Sequence, residues 1–351
     1  MSEGAVTPAP ASDRADEIRA RIRARGGAAT IYDIAELAGV NPSTVSRALG
    51  KPGRISVATA ERVQAAASEL DFRINPAARA LQTGKTGMLG LVVADITNPV
   101  VFDVVRGAEH EAADAGYTLV IAESQESGEN ESEVIERLLP SVDALVLATT
   151  RLAPERLLDI AGRKPVVLIN EAVDEVPSVV ADVETGVNEV IDHLVALGHT
   201  SLVYLAGPST SWISRRRWEA IFAAAERADV AIVEAGPNVP TIDGGRDAAR
   251  RVLALRATAV IAYNDLMAIG LMQALAAEGI AVPSQLSITG FDDIFGSDLI
   301  VPALTTVRTD LEAAGRRAVA MTLQDQSQPQ TPVAPLLTGL IVRGSTGPAP
   351  R

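Results

Sequence analysis

Ser43, Thr44, Ser46 and Arg47 lie close together in the segment NPSTVSRAL, and they share the polar side of a helix if Asn41-Pro42 supplies its N-cap and first helical position. Short hydroxyls can hydrogen-bond several base edges, and a guanidinium can pair bidentately with guanine. The same pattern also suits a helical hairpin with an ordinary solvated face. Other chemistries find less support. Cysteine is absent, which excludes disulfides, thiol catalysis and Cys-ligated metal. His110, His193 and His199 are scattered rather than paired, no G-x-G-x-x-G follows an apolar run, and no G-x-S-x-G elbow occurs. Gly84-Lys85-Thr86 echoes a phosphate loop, but Arg79 stands where the first glycine is required and a strand follows. No enzyme chemistry, cofactor or metal site is expected.

The elements that would position the Ser/Thr/Arg face are three short helices. Thr30 can cap the first, with Asp33 at the third position, an apolar face of Ile31, Ile34, Ala35, Leu37 and Ala38, and Gly39 as its stop. The second runs from Pro42 to Leu49 with Val45, Ala48 and Leu49 inward, and Ser56 caps a third over Val57 to Leu70. A second Asn-Pro pair, Asn75-Pro76, opens an Ala-rich stretch ending at Gln82 before Gly84, too short to persist alone as a helix in water. The net charge of −13 conceals a division. Residues 1–85 carry 12 basic and 9 acidic side chains, or +3, leaving −16 for the remainder. A basic head on an acidic body can hold phosphates locally while the body repels non-specific contact.

From Met88 the pattern changes to apolar runs alternating with helical stretches: MLGLVVA, YTLVIA, DALVLA and PVVLI, then SLVYLAG, ATAVIAY and QLSITGF. This rhythm predicts parallel sheets with right-handed crossovers, in two sets that divide near Val179 to Asp182. With 47% hydrophobic but only 3% aromatic residues, the core is expected to be aliphatic. Ligands of such sheets sit at the C-terminal strand ends, here between two lobes.

The segment TIYDIAELAGVNPSTVSRAL resembles the headpiece signature of the LacI/GalR family of transcriptional regulators. The likeness continues through RINPAARALQTGKTGMLGLVVADITNPV, HLVALGH, SRRRWEA, AYNDLMAIGLMQAL, ITGFDD, LTTVRTD and IVRGSTG, from Thr30 to about Gly347. It implies an α/β, two-lobed, periplasmic-binding-protein-like sensor domain with parallel sheets, preceded by a small all-α helix-turn-helix domain. By the same resemblance, DNA contacts fall on Thr30, Tyr32, Pro42, Ser43, Thr44, Ser46, Arg47, Asn75, Ala78 and Leu81, with Leu81 as a minor-groove wedge. Effector contacts fall on Asp95, Phe102, Arg217, Asn264 and Asp292. The implied protein is a homodimeric repressor that binds a pseudo-palindromic operator in double-stranded DNA and answers to a small effector, a sugar or polyol.

The expected organisation is a flexible arm over 1–29, whose mixed-charge stretch DRADEIRARIRAR could also form a short helix, a headpiece over 30–74, a hinge helix and linker over 75–86, and an effector-binding and dimerisation domain over 87–351. Its N-lobe would comprise about 87–180 plus 293–323, and its C-lobe about 181–292 plus 324–345. Departures from the family pattern concern the ligand. Val100-Val101 replace an aromatic pair with Phe102 displaced by one, Leu311 and Pro240 stand where aromatics often occur, Ala220 replaces a glycine, Val183 a common Asn, and Glu171 a frequent Arg. Trp212 and Trp218 are candidates to restore a stacking platform. Plainer roles exist as well: Asn264 can cap the helix starting at Asp265, Asp292 can cap a helix, and Arg217 can pair across the surface. The alternatives are a corepressor-dependent regulator sensing a nucleoside or other non-sugar metabolite, a periplasmic-type solute-binding protein, and an enzyme. The absence of an export signal and of any membrane-length apolar run leads to the expectation of a cytoplasmic protein, at the nucleoid when bound to its operator, with no membrane partner.

Overall fold

The computed structural model describes residues 11–50, 55–72, 84–324 and 334–350, with side chains from residue 14. Two compact units divide at Gly84. The expected hinge helix, with Asn75, Ala78 and Leu81, lies outside the described residues, as do residues 1–10 of the expected arm.

The first unit holds α1 (Ala11–Ala24), α2 (Ile31–Ala38), α3 (Pro42–Gly50) and α4 (Val57–Glu69). Thr30 and Asp33 form the expected capping box on α2, which ends at Gly39 with φ 63°, a left-handed turn that suits glycine. Ser56 caps α4 by accepting from the Thr59 amide at 3.3 Å. Ile34, Val45 and Val63, one each from α2, α3 and α4, are fully buried together.

Over residues 11–24 the structure takes the helical alternative in place of the flexible arm. Ala15 and Ile18 of α1 are fully buried, with Ile22 packed beside them, so the unit has a four-helix core. The spacing of these residues puts them on one stripe of the helix. Polar ties fix it further. Arg21 reaches Glu36 of α2 at 2.6 Å, Arg25 pairs with Asp33, and Arg19 donates to the carbonyl of Glu69, the last residue of α4, at 2.9 Å.

The second unit begins with β1 (Met88–Val93), α5 (Val100–Asp114), β2 (Thr118–Glu123), α6 (Gly128–Leu138), β3 (Ala144–Ala148), α7 (Pro154–Ala161), β4 (Val166–Ile169) and β5 (Ser178–Val179). Their sheet is parallel, in the order β2-β1-β3-β4-β5. The chain then builds α8 (Val183–Ala196), β6 (Ser201–Leu205), α9 (Trp212–Arg227), β7 (Ala231–Ala235), α10 (Ile242–Asp247), α11 (Ala249–Ala254), β8 (Ala259–Ala262), α12 (Asp265–Ala277), β9 (Ser287–Asp292) and β10 (Thr305–Thr309). After α13 (Leu311–Leu323), β11 (Thr338–Ile341) completes a second sheet in the order β11-β10-β9-β8-β6-β7, in which only β11 is antiparallel to its neighbour.

The chain therefore crosses between lobes after β5, after β10 and again before β11. The expected assignment of 293–323 to the first lobe is wrong for its first half. β10 pairs in parallel with β9, Thr305 opposite Thr289, and so holds 293–309 in the second lobe. Only α13 returns, burying Leu311, Ala314, Ala318 and Val319 in the first lobe's core. It can lie against α5 because two glycines face each other's helices. A Cβ on Gly107 would meet the Glu312 carbonyl oxygen at 1.9 Å, and one on Gly315 the Val104 oxygen at 2.1 Å. Among the described residues no helix is long and apolar enough to cross a membrane.

Candidate functional site

In the first unit, α3 turns its polar residues outward as the sequence suggests. Val45 is its buried anchor, Ser43 and Arg47 are exposed, and Pro42, Thr44 and Ser46 are partly so. Arg47 folds along its own helix, Nε donating to the Ser43 carbonyl at 3.1 Å, and has no carboxylate partner among the described residues. Its positive charge is available to an external acceptor. Tyr32 stands out from the start of α2, while Thr30 keeps its hydroxyl on Asp33. A helix this short, with hydroxyls and a guanidinium at its surface, has the dimensions and donors to read a major groove.

The second unit encloses a narrow cleft lined from both lobes, with Asp95, Arg217, Asn264 and Asp292 among its walls. The geometry follows from parallel sheets, since Asp95 follows β1, Asn264 follows β8, and Asp292 ends β9, all at C-terminal strand ends. Asp292 has φ 106°, well outside the usual region for a non-glycine residue. Arg217 comes from α9 and is buried, its Nη2 donating to Asp292 Oδ1 at 3.0 Å and its Nη1 to the Tyr263 carbonyl oxygen. Its guanidinium lies over the Phe291 ring, 4.4 Å from the centroid. Burial opposes this charge, but the Asp292 carboxylate together with the neighbouring Tyr263 and Tyr204 outweighs it, so the Arg217 pKa is raised. The pair is an internal one, not the surface pair that was the alternative.

Asn264 fills two roles. It lines the cleft and also caps α12, its Oδ1 accepting from the Met267 amide at 2.9 Å and its Nδ2 donating to the Pro240 oxygen at 3.0 Å. Asp95 accepts from the Thr97 amide and hydroxyl at 2.8 and 2.6 Å.

Phe102 does not belong to the site. It is 52% exposed on α5, whereas Val100 and Val101 line the cleft, because each residue step turns a helix by about 100°. The tryptophans do not replace it. Trp218 stacks on Tyr204 at 5.9 Å, Trp212 packs against the second lobe's core, and neither lines the cleft. Leu311 and Pro240 do, so Tyr263 is the single aromatic side chain among the described residues that line it.

Sequence reasoning missed Thr149, Arg151 and Asn170. The signal was present, since Thr149 and Asn170 each follow directly on an apolar strand, β3 and β4, at φ 56° and 55°. Arg151 is held by Glu126, to which Nε donates at 2.9 Å, and by the Thr149 and Thr150 carbonyl oxygens at 2.8 and 3.2 Å. Glu171, at the frequent Arg position, is buried beside the cleft rather than lining it, and burial raises its pKa. The phosphate-loop echo is not a cradle either. Asp143 already accepts from the Thr86 and Gly87 amides at 2.7 and 3.0 Å.

Comparison with known proteins agrees with both halves. Residues 30–75 match the model described as bacterial regulatory proteins, lacI family, and residues 191–346 match a periplasmic binding protein-like domain. The HTH-type transcriptional regulator DegA of Bacillus subtilis (strain 168) is 32% identical over 333 residues, covering 91% of this chain and 98% of that protein. The ribose operon repressor of Escherichia coli (strain K12) is 32% identical, with 86% and 94% covered. Among solved structures, a lac repressor dimer bound to operator and the anti-inducer ONPF superposes with a TM-score of 0.82 at 26% identity, covering 91% of this chain and 99% of that one. A complex of the transcriptional regulator CelR with cellobiose gives 0.66 at 27% identity, over 90% and 99%.

Proposed function

The chain belongs to the lacI family of bacterial regulatory proteins, DNA-binding transcriptional regulators rather than enzymes, and from that premise we propose that it is a repressor acting as a homodimer on a pseudo-palindromic operator, with a small effector bound between its lobes. The observation that carries this reading is the buried Arg217–Asp292 pair at the strand ends of the cleft. In the same chain, α3 presents Arg47 without a carboxylate partner among the described residues. Contacts at Thr30, Tyr32, Pro42, Ser43, Thr44, Ser46 and Arg47 would place α3 in the major groove. Leu81, with Asn75 and Ala78, would enter the minor groove and kink it. The protein would act at the nucleoid, in the cytoplasm. Dimerisation has an apolar surface available to it. Phe295, Leu299 and Val301 are 77%, 64% and 97% exposed on the β9–β10 connection, beside a groove lined by Met272 and Ile280.

The effector, on this reading, meets Asp95, Arg217, Asn264 and Asp292. The aliphatic walls at Val100, Val101 and Leu311 offer little for stacking a pyranose, which favours a small furanose, polyol or other compact metabolite. Whether it induces release or acts as corepressor is decided by which lobe closure it favours, since a ligand shifts a two-state dimer only by its differential affinity.

The test begins with an operator selected from randomised duplexes by the full chain. Affinity measured by anisotropy should fall steeply on a log–log salt plot, by about 0.9 in slope per phosphate neutralised. It should vanish when residues 1–84 are deleted. A thermal-shift screen of sugars, polyols and nucleosides should then yield a ligand that raises Tm and changes operator affinity. A flat salt slope, or a stabilising ligand with no effect on DNA binding, would contradict the proposal.

A further inference from the structure

α1 lies ahead of the segment that matches the family, which begins at Thr30, and its second half is strongly basic. From Ile18 to Thr30 the chain carries Arg19, Arg21, Arg23 and Arg25 and no acidic residue. A helix C-terminus favours cations through its dipole, and three of these four are also spent on the fold. Arg19 is held by Asp16 and the Glu69 carbonyl oxygen, Arg21 by Glu36, and Arg25 by Asp33 and the Ala28 carbonyl oxygen. Arg23 is not. It is exposed and has no hydrogen-bond or ion-pair partner among the described residues.

The fold brings this cation beside the surface proposed to face the duplex. Arg21 bonds Glu36 and Arg25 bonds Asp33, so α1 and α2 run antiparallel and the last turn of α1 lies alongside the first turn of α2. Asp33 also holds the Thr30 hydroxyl, and Tyr32 beside it is 69% exposed. Between the two helices, Gly26 and Gly27 leave the backbone bare. A Cβ on Gly27 would meet nothing but the Arg25 side chain, at 3.8 Å, so internal packing does not call for glycine there, whereas a close-approaching external backbone would. The amides of Gly27 and Ala28 make no hydrogen bond among the described residues. An exposed guanidinium and unbonded amides on one bare turn are donors of the kind that phosphate oxygens accept. Both carboxylates of α2, Asp33 and Glu36, are neutralised by an arginine, so neither opposes a phosphate there.

We infer that the last turn of α1 and the glycine turn after it form a second phosphate-binding surface on each headpiece, with Arg23 as its principal contact, gripping the DNA backbone next to the bases that α3 reads. This rests on the proposed operator binding and extends it into residues that precede the family match. A phosphate carries no sequence information, so the surface contributes affinity on every duplex and leaves base preference to α3.

The experiment uses the full chain and the operator it selects from randomised duplexes. Arg23→Ala should weaken binding about tenfold, equally on every operator variant, and lower the log–log salt slope by about 0.9 for each headpiece engaged. Arg23→Lys keeps the charge and should keep the slope. Arg14→Ala removes an exposed arginine from the opposite end of the same helix and should bind as wild type. Ethylation interference should reveal a phosphate in each half-site whose blocking weakens wild type but not Arg23→Ala. If Arg23→Ala matches Arg14→Ala in slope and interference pattern, or relaxes the preference at one base pair with the slope unchanged, the inference fails while the operator reading stands. If wild type selects no operator, or its salt slope is flat, the operator reading fails and the inference with it.

Discussion

At the scale of single residues, a side chain that satisfies the fold is distinguished from one that is available to a ligand by what its hydrogen bonds already hold. Asn264 spends Oδ1 as a cap and one Nδ2 hydrogen on the Pro240 oxygen, which leaves a single Nδ2 hydrogen for a ligand, whereas Arg47 donates only to its own helix. Arg47→Ala should therefore leave the fold intact and cost about 1–3 kcal/mol at one base pair per half-site, relaxing specificity there. A uniform loss across sequences in a binding-site selection would instead make Arg47 a phosphate contact. Asp265 is the opposite case. Its fully buried carboxylate accepts from the Thr306 hydroxyl at 2.6 Å, the Ser297 hydroxyl at 2.5 Å and the Ile294 amide at 3.0 Å, tying down the loop after β9. Burial, with the nearby Asp292 charge, nevertheless raises its pKa from 3.8 to about 7. The folded state thus holds a proton that the unfolded chain has released. Stability from this group is full below about pH 4 and is lost as pH rises to about 7. Denaturant titrations should show wild-type stability falling across that window more steeply than that of Asp265→Asn. The variant should be weaker overall, since a single amide oxygen cannot serve three donors. Equal slopes would mean that Asp265 stays ionised.

At the scale of elements, the buried central strands and the edge strand β2 were legible, whereas β7, β10 and β11 were not. β1, β3, β4, β6 and β8 are near-continuous apolar runs because both faces are covered, but β7 and β11 are half exposed at sheet edges and carry no such run. β10 was missed because its buried positions include Thr305 and Thr306, whose hydroxyls bond to Thr346 and Asp265. The strand ends that frame the cleft followed from the βαβ rhythm, but the pairing of Arg151 with Glu126 spans 25 positions and has no local signature. α1 was hidden differently. Its three inward residues are interleaved with charges, so composition resembles a solvated tail although Ile18 is wholly buried. If α1 is structural, Ile18→Ala should destabilise the first unit by about 2–5 kcal/mol. Hydrogen exchange on the full chain should then quicken in α2 and α4 while the strands of the second unit keep their protection. Unchanged exchange after removal of residues 1–29 would make α1 dispensable to the headpiece.

At the scale of the whole molecule, the proposed operator binding would have to be achieved by a modest headpiece. One α3 offers a single guanidinium and a few hydroxyls, and residues 1–85 carry a net charge of only +3. Two headpieces joined in the proposed dimer would make the second binding event intramolecular, which can strengthen binding by about 10²–10⁴ without a new contact. Repression would then depend on the surface that joins the protomers. The proposed surface is the connection bearing Phe295, Leu299 and Val301, which the buried Asp265 carboxylate holds in shape. Val301 is 97% exposed in the single chain, so Val301→Asp should not disturb the protomer fold. In a dimer formed there, the introduced aspartate would be desolvated within an apolar interface that offers it no known cationic partner, which opposes association. Sedimentation should show the variant as a monomer at concentrations where wild type is dimeric, with operator affinity down about a hundredfold or more. Thermal unfolding should lose its dependence on protein concentration. Val239→Asp, at a valine 62% exposed on the stretch between β7 and α10, serves as the control and should remain dimeric. If Val301→Asp stays dimeric, the protomers join through another face, and the edge strand β2, whose residues are exposed or half-buried throughout, becomes the next surface to test.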